Sequence, residues 1–329
     1  MFSNYVCYDN KFYEEDKPIF RLNRAMKFGD GVFESIRVVS GKVKYLDFHI
    51  ERMKKGLDAL EINCSKGDIE ILKVCIEQLL IKNEIEGGAT LRIIAQRSGL
   101  GKYTPEANQV FFYIETERLS EDNFVLNKDG FNLGISEKVT IYPNQFSGLK
   151  TLNALHYVMA GKEKLESNFD ELVLLNPEGF LVDGASSNLF LAKGKKIYTP
   201  DLKHGPIAGV MRRVVIGKLL QMGYEVEESS LVPSDLEQAD EIFFTNSIKG
   251  IQWVKSYKKK NYKMWAGWFL MGKSKLYKVP GISGFRCKLM PYLVESLSTL
   301  NFGLTLLFFI PGSILRNCYL IRSKVKKWF

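Results

Sequence analysis

Residues 1–257 are a series of short apolar runs with strand character, interrupted once by a polar stretch from Thr116 to Asn123. That interruption most constrains the fold, because it separates two strand-rich halves, each long enough to bury its own core. In the first half Phe33-Glu-Ser-Ile-Arg-Val-Val39 alternates like a strand, and Gly41-Lys42 turns it back into Val43-Lys-Tyr-Leu46. Asp47 is placed to cap a helix running through His49 to Leu57, and Asp68 to Leu80 carries apolar residues at helical spacing. Ala89–Ala95 and Gln109–Glu115 read as core strands. The second half continues with strands at Phe131–Ser136, Glu171–Leu175, Leu189–Ala192, Lys196–Tyr198 and Glu241–Thr245. Helices follow Leu152 and span Gly209–Met222. The pattern predicts an α/β (α+β) protein with an N-terminal lobe over 1–118, a C-terminal lobe over 124–257, and a separate segment over 258–329.

Charge sharpens that last boundary. The chain carries a net +9, yet residues 258–329 hold fourteen Lys/Arg and one acid, Glu295, leaving 32 basic and 36 acidic side chains in residues 1–257. The body is therefore slightly acidic and gives no reason to expect nucleic-acid binding. Cys7, Cys64, Cys75, Cys287 and Cys318 are scattered, without metal-ligand spacing to His49, His156 or His204. They read as reduced thiols of a cytoplasmic protein with no metal centre, and the N-terminus lacks the apolar run of a signal peptide.

The tail departs from this composition. Ser296–Leu315 holds twenty uncharged residues, interrupted at Pro311-Gly312 and followed by basic Arg322-Ser-Lys-Val-Lys-Lys327. This reads as a marginal membrane span or partner anchor, or as out-of-frame translation past a lost C-terminus. The abrupt charge switch and the lack of periodicity favour the second. Membrane contact is expected only if 296–315 is genuine.

Two groups carry chemistry. Lys150 lies in Phe146-Ser-Gly-Leu-Lys-Thr-Leu-Asn153, and Asp183 opens Asp183-Gly-Ala-Ser-Ser-Asn-Leu-Phe190. A lysine for an aldehyde carbon and an acid for a ring nitrogen are the pair that a pyridoxal phosphate enzyme needs. Taken singly, each has a plain alternative as a solvated lysine and an Asp-Gly turn. Further motifs follow in order: Phe28-Gly-Asp-Gly-Val-Phe-Glu34, His49-Ile-Glu-Arg52, Gly209-Val-Met-Arg212 and Thr245-Asn-Ser247. From about Phe20 to Trp253 the chain resembles the class IV aminotransferase family. These are the fold-type IV pyridoxal phosphate enzymes, which include branched-chain and D-amino-acid aminotransferases and 4-amino-4-deoxychorismate lyases.

The resemblance implies a two-lobed enzyme, with a small N-terminal lobe and a larger barrel-like C-terminal lobe. It also implies pyridoxal 5'-phosphate as cofactor, a small-molecule amino substrate and a homodimer. Lys150 would hold the cofactor as an aldimine and take the substrate Cα proton. Arg52, the helix start at Val210 and Met211, and Asn246-Ser247 would grip the phosphate. Asp183 stands where the family usually has glutamate. One methylene shorter, it would reach the ring nitrogen by a shift of the ring or through water, or it would weaken the electron sink. Arg97 and Glu34 are expected on the substrate side. His49 is expected to pack beside Arg52, and His156 to lie on a helix face. Arg97 and Thr245-Asn-Ser-Ile-Lys-Gly250 lean toward the lyase. The alternatives are a branched-chain or D-amino-acid aminotransferase and a non-catalytic relative.

Overall fold

Among the described residues up to Val125, seven strands and two long helices shape the fold, and the strand pairings explain why. In the computed structural model, which describes residues 4–15, 23–263 and the backbone of Tyr277–Lys278, β1 (Tyr5–Tyr8) and β2 (Lys11–Glu14) form a hairpin. Its turn residues Asp9 and Asn10 both take positive φ, a conformation that short Asp and Asn side chains tolerate. β3 (Gly31–Val39), β4 (Lys42–Val43), β5 (Ala89–Arg97) and β6 (Val110–Arg118) complete an antiparallel sheet of order β2-β1-β6-β5-β3-β4. Its even-period side chains Val32, Ile36, Val38, Leu91, Ile93 and Ile114 pack under α2 (Leu46–Ala59) and α3 (Lys66–Lys82). This is the one-face-covered arrangement that alternation specifies. The other face carries half-buried Phe33, Arg92, Ile94 and Tyr113. α1 (Arg24–Phe28) precedes β3.

Asp47 does not cap α2. The helix starts at Leu46 behind Tyr45, which is left-handed with φ 55°, and Asp47 sits in the first turn. There its charge still suits the helix dipole. Ser65 caps α3 instead, in a reciprocal box with Asp68.

After β7 (Phe124–Val125), which pairs with Tyr277–Lys278 (β17), a second sheet runs β10-β9-β8-β15-β14-β11-β12-β13. These are β8 (Phe131–Thr140), β9 (Glu171–Leu175), β10 (Leu181–Gly184), β11 (Asn188–Lys193), β12 (Lys196–Pro200), β13 (Glu225–Ser229), β14 (Glu241–Asn246) and β15 (Gly250–Tyr257). β16 (Lys260–Asn261) hangs on β15. Parallel pairs β8·β9, β15·β8 and β12·β13 mix with antiparallel ones. The sheet curls into a half-barrel with apolar clusters on both faces. One face packs Phe190 and Phe243 under α5 (Val210–Gln221), and the other packs Leu189, Leu191 and Phe244 with α6 (Pro233–Gln238). α4 (Leu155–Glu166) follows the Lys150 segment.

Both sheets belong to one compact unit, and the first cluster on α5 also takes in Val39, Tyr45 and Phe48 from the N-terminal half. Among the described residues no helix is long and apolar enough to cross a membrane. The segment 296–315, and with it the choice between anchor and out-of-frame tail, lies outside the described residues.

Candidate active site

Lys150 is delivered by a loop tied to β3. The Phe33 N–H donates to Lys150 O at 2.9 Å, the Leu152 N–H donates to Gly31 O at 3.0 Å, and Val32 bridges Thr151. With the backbone held on both sides, Nζ lies 4.0 Å from the centre of the Phe33 ring. Burial strips the amine of water, Arg52 and Arg92 add positive charge, and Glu34 and Asp183 oppose them. The net result lowers the Lys150 pKa to about 8. An amine in this state has a usable neutral fraction and can act as a nucleophile or proton acceptor.

Arg52 reaches the second half because α2 packs on α5. The Arg213 guanidinium sits 4.3 Å from the Phe48 ring centre and 2.6 Å from Glu51, both on α2. Arg52 then donates from Nη1 to Ala208 O at 3.2 Å, just ahead of α5. Its Nε and Nη2 donate to Glu34, which also meets His49 Nδ1 at 2.6 Å. Burial alone would raise the Glu34 carboxyl, but Arg52 and His49 outweigh it and hold the group below its usual range.

α5 opens on Gly209, which offers no side-chain cap. The N–H groups of Val210 and Met211 therefore lack intrahelical acceptors and point out of the helix start. A Cβ at residue 209 would fall 1.9 Å from Asn188 Oδ1, so any side chain there would displace the Asn188 amide. Helix start and guanidinium together make a cradle for an anion.

The end of β14 borders the same place. Thr245 is the register partner of Asn188, whose amide donates to Ile207 O at 2.8 Å. Asn246 Oδ1 accepts from the Ile248 and Lys249 N–H groups and so shapes the turn that carries Ser247. Thr245 Oγ1 is buried with no partner among the described residues, a vacancy in bonding that a bound polar group would fill.

Asp183, at the end of β10, is buried among neutral donors. Oδ2 accepts from the Ile207 N–H at 2.9 Å and the Tyr157 hydroxyl at 3.1 Å, and Oδ1 accepts from Asn188 Nδ2 at 2.9 Å. Burial raises its pKa to about 7, against the pull of these three donors and of the Arg212 charge.

Glu34 and Arg97, expected on the substrate side, both bond neighbouring residues of the N-terminal half. Glu34 faces α2 and is covered by Arg52 and His49. Arg97 bonds Asp30, Glu61 O, Leu60 O and Asn108 Oδ1, while Asp30 also holds Arg24 at 2.7 Å. A buried guanidinium must find acceptors, and this one finds them in Asp30 ahead of β3, in the loop after β5 and just past α2. The sequence reading passed over Tyr157, Asn188, Phe33 and Arg92. Asn188 stood inside a quoted motif, and Arg92 shares with Phe33 the sheet face away from α2, its guanidinium 4.9 Å from that ring. No sequence signal singled out Tyr157.

A buried amine and a buried carboxylate beside a helix-start cradle, on these two sheets, define a cofactor enzyme of the fold-type IV class. The chain belongs to the amino-transferase class IV family, whose pattern matches residues 31–257. It is 30% identical over 268 residues to the aminodeoxychorismate lyase of Bacillus subtilis (strain 168), covering 80% of this chain and 90% of that protein. It is also 30% identical over 254 residues to a putative branched-chain-amino-acid aminotransferase of Methanocaldococcus jannaschii, covering 75% and 85%. In fold it matches the crystal structure of a branched-chain aminotransferase from Thermoproteus uzoniensis, with a TM-score of 0.72 at 21% identity over 83% of this chain and 96% of that one. The protein is thus a pyridoxal phosphate-dependent lyase or transaminase that acts on a small amino compound.

Proposed function

We propose that the chain is a 4-amino-4-deoxychorismate lyase that releases 4-aminobenzoate and pyruvate. The observation that carries the cofactor chemistry of this reading is the Lys150 amine, buried over Phe33 with a pKa of about 8 and within electrostatic reach of Arg52 and Asp183. Bound pyridoxal phosphate supplies an aldehyde carbon and an electron-accepting ring. Lys150 is the residue that holds the aldehyde carbon and moves the substrate Cα proton. Arg52 has donors left over beside the helix start, so it takes the phosphate together with the Val210 and Met211 N–H groups and the Asn246-Ser247 turn. The unpartnered Thr245 Oγ1 supports a polar occupant there. Asp183 would accept a hydrogen bond from the protonated ring nitrogen and so keep it protonated. Glu34 and His49 position Arg52. In place of Arg97, we assign the substrate carboxylate to Arg92, which is 43% exposed and whose charge is felt at Lys150.

The Bacillus relative and the Thr245-to-Gly250 segment support the lyase. The Methanocaldococcus relative, at equal identity, supports a transaminase as the second reading. Incubating the purified protein with 4-amino-4-deoxychorismate and no keto acid separates them. Pyruvate release supports the lyase, and amine transfer seen only with an added keto acid supports the transaminase. Neither reaction would leave a non-catalytic relative. Borohydride reduction should fix the cofactor mass on the Lys150 peptide.

A homodimer forms part of the same reading. Leu155, Val158 and Met159 leave 70%, 63% and 45% of their surfaces exposed along α4, an apolar patch that a second copy would cover. Light scattering that gives the mass of one chain at micromolar concentration would refute it.

A further inference from the structure

We infer that Tyr157 is a positioning residue for Asp183, its hydroxyl keeping the carboxylate ionised and turned so that Oδ1 retains a lone pair for a proton on a bound ligand. The inference rests on the reading above only for the identity of that ligand.

Three elements supply the donors around Asp183: the loop before α5 through the Ile207 N–H, β11 through Asn188 Nδ2, and α4 through the Tyr157 hydroxyl. Oδ2 accepts two of them and Oδ1 one. A carboxylate offers about four acceptor positions, so Oδ1 has room for another donor. The charged groups that face the carboxylate are Lys150 and Arg212, and both act at a distance. The Arg212 guanidinium is bonded elsewhere, to Pro200 O and Glu228. Neutral donors therefore carry the burden of stabilising this charge.

Two of those donors are fixed. The Ile207 N–H is a peptide group, and the Asn188 amide also holds Ile207 O. Tyr157 alone has a rotatable hydroxyl, and among the described residues that hydroxyl bonds nothing else. Its ring lies against His156, with centroids 4.3 Å apart, and burial lowers the His156 pKa. Burial, and then the Asp183 charge, push the phenol well above its ordinary range. It stays a neutral donor across the interval in which Asp183 titrates. An ionised Asp183 in turn favours a protonated partner, and the coupling is reciprocal.

Tyr157→Phe removes one oxygen and leaves the ring. In the cofactor-free protein, side-chain carboxyl NMR, with Asp183→Asn identifying the resonance, should show the Asp183 pKa raised by about one unit or more. Nitrogen NMR of isotope-labelled pyridoxal phosphate should show the ring nitrogen losing its proton at lower pH in the variant. Incorporating fluorotyrosine, a stronger donor, should shift Asp183 the other way, and this keeps the test alive if Tyr157→Phe fails to fold. An Asp183 pKa unmoved within about 0.3 unit by either change overturns the inference. A wild-type protein that takes up no cofactor would instead refute the proposed function, while the cofactor-free measurement would still decide the role of Tyr157.

Discussion

Two arginine–carboxylate clusters at β3 look alike in residue type and burial, yet only one of them has unspent donors beside the start of α5. In the first, Glu34 is shared by Arg52 and His49, and Arg52 makes three bonds from its five N–H donors while touching the residue before α5. In the second, Asp30 is shared by Arg24 and Arg97. Five further donors of that pair go to the carbonyls of Leu100, Lys102, Glu61 and Leu60 and to Asn108. That cluster ties the Ser98–Asn108 loop to α1 and to the end of α2. Spare hydrogen-bonding capacity aimed at a helix start separates an arginine that can bind a ligand from one that holds the fold.

The sharpest way to break this contrast is to remove Arg97, which spends four of its five donors inside the fold. Arg97→Met leaves Asp30 with Arg24 alone and frees the Leu60 and Glu61 carbonyls and Asn108 Oδ1. It should cost about 3–5 kcal/mol of stability in denaturant unfolding of the cofactor-free protein. If Arg97→Met folded as well as wild type and lost only substrate affinity, Arg97 would belong to the binding site after all.

Next in size is the pH response of the two buried groups at the site, neither of which forms an ion pair. Asp183, with a pKa of about 7 against 3.8, binds more protons folded than unfolded, so stability falls as pH rises through that interval. Lys150, with a pKa of about 8 against 10.5, binds fewer protons folded, so stability recovers as pH rises from there. In full, the Asp183 effect is about 4 kcal/mol and the Lys150 effect about 3 kcal/mol. Cofactor-free protein should therefore be least stable between the two values. Asp183→Asn should flatten the acid limb and Lys150→Met the alkaline limb, and a monotonic profile in wild type would contradict both assignments.

Arg52→Lys tests the other cluster. A lysine can keep a charge near Glu34 but loses the two-pronged grip. The melting temperature of the cofactor-free protein should hardly change, while the dissociation constant for pyridoxal phosphate rises about tenfold to a hundredfold. Equal losses in both would make Arg52 a fold residue like Arg97.

Much of this was legible in the sequence because it is local. Strand periodicity placed β3, β5, β8, β9, β11, β12 and β14 to within a few residues, and the spacing of α3 and α5 was clear. The hairpin of β1 and β2 escaped notice, since its signal is an Asp-Asn turn between very short strands. β10, β13 and β15 were missed as well, because their burial depends on neighbours far away in the chain. Lys150, Asp183, Arg52 and the α5 start could be picked as positions from ordered motifs. Their surroundings could not: Arg52 and Arg97 differ only in who accepts their donors, and Tyr157 meets Asp183 across α4 and β10.

The smallest expected effect comes from a third arginine, which calibrates the other two. Arg213 on α5 reaches Glu51 at 2.6 Å and stacks on Phe48, so geometry alone would make it the strut that joins α2 to α5. Its side chain is 54% exposed and that of Glu51 42%, so water and salt already solvate both charges. Arg213→Gln should cost no more than about 1 kcal/mol, with part of that from the Phe48 contact and less of it at high salt. Cofactor affinity should not move, because the apolar contacts beneath, such as those of Phe48 and Val214, keep α2 and Arg52 in place. A loss as large as that of Arg97→Met would mean that the α2–α5 joint, rather than the spare donors of Arg52, sets the geometry of the cradle.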